Sequence, residues 1–172
     1  GTVPAIKPAA TMTRSGVIGL LGTEATIRQA YVDRLEAEFA QGKRLLRHAA
    51  PELVSAAEAK LRGAPVDAEI CNRAAQGLRA MPGGEAIDTV VLACTHFPLV
   101  VAELAEAFGP GVAFVHGAQG IARRIAHLTA GQSFRRTEPD LALFTRNGED
   151  IARLVPALAQ YGLERREVLG AR

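Results

Sequence analysis

Cys94-Thr95-His96 sets a thiol, a hydroxyl and an imidazole side by side, directly after the apolar run DTVVLA (88–93). If that run is a buried strand of a parallel sheet, Cys94 falls at its carboxyl end, where open α/β sheets bind their ligands. The free N–H groups of a following helix favour negative charge there. The thiol is then favoured as a thiolate and becomes a candidate nucleophile or proton-transfer base. Thr95 offers a hydroxyl and backbone N–H groups that could hold a carboxylate. His96 can donate to a substrate, or bind and release a proton near neutral pH. The same residues also admit a reading without chemistry: a cysteine after an apolar strand as a small core residue, and a histidine at a helix start as a cap.

Other chemistries find less support. Cys71, Cys94, His96 and His116 contain a single close pair, Cys94 and His96, and no short-spaced ligand pairs of zinc type. No G-x-G-x-x-G follows a strand and no G-K-[ST] occurs, so neither a dinucleotide nor a phosphate loop is expected. No metal and no cofactor is expected. Cys71, in AEICNRAA, lies in a helical pattern and reads as a buried helix residue.

The elements that must position Cys94 alternate along the chain. Strands are expected at 17–21, 43–49, 88–93, 112–115, 141–145 and 166–169. Helices are expected at 23–39, 51–61, 66–80, 97–108, 118–130 and 149–161. In the first helix Ile27, Tyr31, Leu35 and Phe39 recur every fourth position, with Thr23 and Thr26 as candidate caps. Met81 to Gly84 read as a loop. Pro98 falls near the first turn of its helix, and Pro156 is expected to kink the last one. Alternating apolar strands and helices define an α/β fold with a mostly parallel sheet flanked by helices.

Composition narrows the partners. Twenty basic and 18 acidic side chains give a formal net charge of +2, which makes no case for a nucleic-acid surface. The pairs Arg123-Arg124, Arg135-Arg136 and Arg165-Arg166 read as solvated faces. A chain that is 48% hydrophobic with mean hydropathy +0.10 can bury a core, and no apolar run reaches membrane-span length. Two cysteines are too few for a disulfide scaffold, and no secretory pattern is present, so a reduced, cytoplasmic protein is expected. The chain begins with Gly1, so a start upstream or a processed one is expected.

VVLACTHFPLV (90–100) resembles the second cysteine motif of the glutamate racemases: a strand ending in a small residue, then Cys-Thr-His, an aromatic and Pro-Leu. The related aspartate racemases carry an acidic residue after Cys-Thr, so His96 favours glutamate as substrate. TVPAIKPAA (2–10) looks like that family's crossover into its second domain, and IGLLGTEATI (18–27) like the strand and helix start that follow. APELVSAAEAK (50–60) resembles a C-P-x-L-V-x-x-x-E segment, with Ala50 in place of its cysteine. On that match Glu58 aligns with a carboxylate that assists proton transfer beside the histidine. A solvent-facing helix glutamate is the alternative. HGAQGIARRIAHL (116–128) and FTRNGE (144–149) look like late elements that return to the first domain, with His116 where an aspartate is usual.

The resemblance implies residues 1–115 as a racemase second domain and 116–172 as elements that complete the first. It implies cofactor-free racemisation of glutamate for peptidoglycan synthesis, by two thiols on opposite faces of the substrate Cα. Catalytic roles would fall on Cys94, His96 and Glu58, and substrate binding on Thr95 and His96. The first cysteine motif, V-A-C-N-T-A, and an Asp-Ser-Gly stretch are not found in this sequence. One half of a site, inactive alone, is therefore expected. Late strands lacking their partners would expose apolar edges open to swapping or to pairing with another chain, a homodimer included. Another racemase of the same superfamily, or a non-catalytic module derived from one, are the rival expectations.

Overall fold

The computed structural model describes residues 3–170; Gly1, Thr2, Ala171 and Arg172 lie outside it, Thr2 of the 2–10 segment among them. Helix α1 (Ile6–Met12) leads into β1 (Val17–Gly22), α2 (Glu24–Ile27), α3 (Ala30–Phe39) and β2 (Arg44–Ala49). Then come α4 (Glu52–Leu61), α5 (Ala68–Arg79), β3 (Thr89–Leu92), α6 (Val101–Phe108) and β4 (Ala113–Val115). These four strands form one parallel sheet in the order β2-β1-β3-β4. From α7 (Ala118–Leu128) onward, β5 (Leu141–Phe144), α8 (Glu149–Ala152), α9 (Val155–Gln160) and β6 (Arg165–Val168) carry a separate sheet, β5 parallel to β6. The α/β class expected from the sequence holds, with the strands divided between two sheets. Among the described residues, no helix is long and apolar enough to cross a membrane.

Both faces of the four-stranded sheet are covered, which is why its two central strands, β1 and β3, are mainly apolar runs without alternation, while the edge strand β2 carries Arg44, Arg47 and His48. Leu21, Val90 and Leu92 point into a core built with Leu53, Ala57, Leu78 and Leu104 from α4, α5 and α6. Ile18, Leu20 and Val91 point the other way, against Ile6 and Ala9 of α1 and Val32 of α3. Gly19 lets α5 approach β1, since a Cβ there would stand 2.7 Å from Leu78 Cδ1.

Three expectations need correction. The 23–39 helix is two helices: Thr23 caps the first by accepting from the Thr26 N–H, and Gln29 turns extended (ψ 129°) before the second. Ile27, Tyr31, Leu35 and Phe39 still pack on one core, so the four-residue spacing identified the buried face although the helix is broken. The 97–108 helix starts as a 3-10 turn, Phe97–Val100, before α6. Pro156 does not kink a helix but opens α9. Its missing N–H and its ring's clash with the carbonyl four residues back end α8 at Ala152. Helix α1 begins inside the 2–10 segment and runs on to Met12, and a 3-10 turn, Gly84–Ala86, starts at the last residue of the expected loop.

A carboxylate clips the start of the sheet. Asp88 accepts from the Arg14 and Ser15 backbone N–H groups, both at 2.7 Å, from Thr13 Oγ1 at 2.6 Å and from Thr89 Oγ1 at 3.0 Å. Burial alone would raise this carboxyl; the donors outweigh burial and hold it well below the usual carboxylate range. Asp88→Ala is expected to cost about 2 kcal/mol at neutral pH, by loss of charge-assisted bonds. Because the folded value is depressed, that contribution is full above the unfolded carboxylate value and lost as pH falls through the folded one. The gap between wild type and variant in urea melts therefore narrows as pH drops below about 4. A gap independent of pH would refute the clip.

Candidate active site

Cys94 lies two residues beyond β3. The Ala93 N–H still donates to Leu21 O at 2.8 Å, which fixes the chain in the sheet up to the residue before the cysteine. The chain then folds into the 3-10 turn, with Phe97 N–H donating to Cys94 O at 3.2 Å and Leu99 N–H to His96 O at 3.0 Å. Phe97 is driven wholly into the core between α4 and α6, and this anchors its neighbour His96 outside α4.

The three side chains singled out for catalysis form one chain of contacts. Cys94 Sγ is 3.8 Å from His96 Nδ1, and His96 Nε2 is 3.2 Å from Glu58 Oε1 on α4. His96 makes no side-chain cap, so that alternative is not realised. Glu58 is half-buried and its second oxygen, Oε2, accepts from Arg62 Nη1 at 2.5 Å. The Arg62 guanidinium, more than any other group, holds the Glu58 carboxyl below the usual range; burial opposes it and His96 assists. Arg62 was missed in the sequence. Its signal was the i, i+4 spacing from Glu58 on one helix.

Cys94 is only partly buried and lines a cavity of about 190 Å³ together with Ala93, Thr95, Pro98, His116 and Ile121. Thr95 is exposed at its rim, and His116 brings a second imidazole to the wall, its Nδ1 accepting from Ala118 N–H at 3.4 Å. Cys71 is elsewhere: it is buried on α5 in the core, and desolvation pushes its thiol up to about 11. A neutral, sealed thiol of that kind is inert.

A thiol, an imidazole and a carboxylate thus stand in line at the carboxyl edge of a doubly covered parallel α/β sheet, the thiol facing a cavity, an arrangement with the groups to relay a proton. The chain is homologous to glutamate racemases. It is 61% identical over 164 residues to the glutamate racemase of Sphingopyxis alaskensis, a match that takes in 95% of this chain and 61% of that protein. It is 39% identical over 174 residues to that of Photorhabdus laumondii, over 98% of this chain and 59% of that protein. The structure of Escherichia coli glutamate racemase, in complex with L-glutamate and the activator UDP-MurNAc-ala, superposes with TM-score 0.89 at 37% identity, over 99% of this chain and 64% of that one. The fold of a Bacillus anthracis glutamate racemase agrees at TM-score 0.74 and 21% identity, over 96% of this chain and 61% of that one. No protein-family model matches the chain. The chain thus spans about three fifths of the length of the relatives it matches.

Proposed function

We propose that this chain carries one half of the site of a cofactor-independent glutamate racemase, acting in the cytoplasm to supply D-glutamate for peptidoglycan. The observation that carries the reading is the Cys94–His96–Glu58 line of contacts beside an open cavity. With Glu58 accepting the Nε2 proton, the Nδ1 lone pair of neutral His96 faces the Cys94 sulfur. The thiol proton passes to Nδ1, leaving a thiolate and an imidazolium that the Glu58 carboxylate stabilises. In one direction the thiolate takes the substrate's α proton. The C–H electron pair moves into the adjoining carboxyl group, where hydrogen-bond donors such as Thr95 steady the charge. In the other direction the Cys94 thiol returns a proton to that same face.

Inversion needs a second proton donor behind the substrate. Cys71 does not supply it, because it is locked in the core on α5. The second thiol then comes from the portion of a racemase that this chain does not span. Residues 1–115 form the domain bearing Cys94, and residues 116–172 belong with that further portion. Ile121, Ile125 and Leu128 on α7, exposed at 39%, 56% and 59%, support the division, since an amphipathic helix normally buries such a stripe.

The test compares this chain with the full-length gene product. Circular dichroism of L- and D-glutamate solutions is expected to show turnover by the full-length product and none by residues 1–172 alone. Iodoacetamide should label Cys94 rapidly, and glutamate should slow the labelling of the full-length product. Robust turnover by the chain alone would overturn the half-site. Turnover of another amino acid in preference to glutamate would point to a different substrate in the superfamily. Absence of any turnover, with no protection, would leave a binding module.

A further inference from the structure

Glu58 sits on the last full turn of α4 and is 37% exposed, so nothing in its burial keeps its carboxylate against His96. A glutamate with three rotatable bonds at such a position spends side-chain entropy to hold one geometry. Arg62 supplies the restraint. Its backbone N–H closes the helix on Glu58 O (3.3 Å) and Ala59 O (3.0 Å), and Gly63 then leaves the helix with φ +78°. Its side chain folds back, and one nitrogen, Nη1, donates both to Glu58 O at 2.9 Å and to Glu58 Oε2 at 2.5 Å. The carboxylate is thereby fixed with Oε2 on the guanidinium and Oε1 turned to His96 Nε2.

We infer that Arg62 is a positioning residue of this site: by clamping Glu58 it fixes His96 as the Nε2–H tautomer and so presents the Nδ1 lone pair to Cys94. The inference rests on the proposed function for its consequence in catalysis, but its first measurement does not. Neutral imidazole has two tautomers, and which one forms is set by what the other nitrogen meets. Nitrogen Nε2 meets an acceptor-only carboxylate 3.2 Å away, which demands the proton there. Without Arg62, the Glu58 side chain is free to swing to solvent, Nε2 loses its acceptor, and the tautomer is no longer specified. On its far side Arg62 borders a second cavity of about 310 Å³, with Lys60, Leu99, Arg153 and Tyr161, so a small planar cation has room to enter if the side chain is truncated. Lys60 does not substitute for it, being paired with Glu103 at 2.7 Å on α6.

The decisive measurement is the ¹⁵N spectrum of the His96 ring in the 172-residue chain at alkaline pH, assigned by its loss in His96→Gln. The Nε2–H form is expected to predominate in the wild type. In Arg62→Ala its ratio to the Nδ1–H form should fall about tenfold, the size that one charge-assisted hydrogen bond carries. Millimolar guanidinium should restore the ratio. An unchanged ratio in a folded Arg62→Ala overturns the inference. If that variant does not fold, Arg62→Lys decides: it keeps the charge without the planar fork, and its ratio should fall about threefold, an unchanged one again overturning the inference. In the full-length product Arg62→Ala should lower kcat for glutamate about tenfold and leave KM within about twofold, because Arg62 does not line the cavity beside Cys94. A tautomer shift in a protein with no racemase activity sinks the function and keeps the clamp. Activity with an unshifted tautomer does the reverse.

Discussion

Cys94→Ser in the full-length gene product is expected to lower glutamate racemisation by about 10³-fold with the fold intact. Oxygen replaces sulfur at nearly the same size, and the side chain is only partly buried at a cavity wall, so little packing is lost. What changes is acidity. A serine hydroxyl beside His96 is a far weaker acid than a thiol, so proton exchange with the substrate Cα slows on the face Cys94 serves. The opposite face, served by another group, should be affected much less. Wash-in of solvent deuterium therefore distinguishes the roles: exchange from one glutamate enantiomer collapses while exchange from the other persists. Equal loss from both, or a melting temperature several degrees lower, would make Cys94 a structural residue and remove the basis of the proposed mechanism.

The parts of this site differ in how far the sequence alone reveals them, and the difference is one of distance along the chain. The strand before Cys94 is legible because a sheet covered on both faces leaves no solvent-facing position in Thr89–Leu92, where all four residues are buried. Cys94 and His96 are legible because they are two residues apart in a turn. Glu58 lies 38 residues from His96, and no local pattern ties them. Only the resemblance of the 50–60 segment pointed to it, and a solvated helix glutamate was an equal alternative. Arg62 looks like any charged residue near a helix end until Glu58 is known to matter. Helix α1 stayed hidden for another reason. Pro8 falls in its first turn, where the N–H that proline lacks has no intrahelical partner, so the helix tolerates it there. The same residue type at position 156 does end a helix, because there the run N-terminal to it was already helical. Proline's effect is set by its place in the turn, which periodicity does not supply.

Phe97→Ala is expected to be the most destabilising single change near the site, by about 3–5 kcal/mol. The ring is fully buried and packs with Leu53, Val100 and Leu104, joining α4 and α6 to the sheet. Its removal leaves a cavity where backbone on three sides is fixed by helices and strand, so collapse recovers little. Against a typical net stability of about 5–15 kcal/mol, that loss is a large share. Urea melts should show a lower midpoint with an unchanged slope, since the surface exposed on unfolding hardly alters. Phe97→Leu, which keeps most of the volume, should cost about 1 kcal/mol. The consequence reaches the chemistry through the adjoining residue. His96 contacts Glu58 only because Phe97 pins the 3-10 turn to α4, so the alanine variant should also free the imidazole, while the leucine variant keeps it in place. A Phe97→Ala protein as stable as wild type would mean that this turn is held by something other than its buried ring, and the account of how His96 is positioned would fall with it.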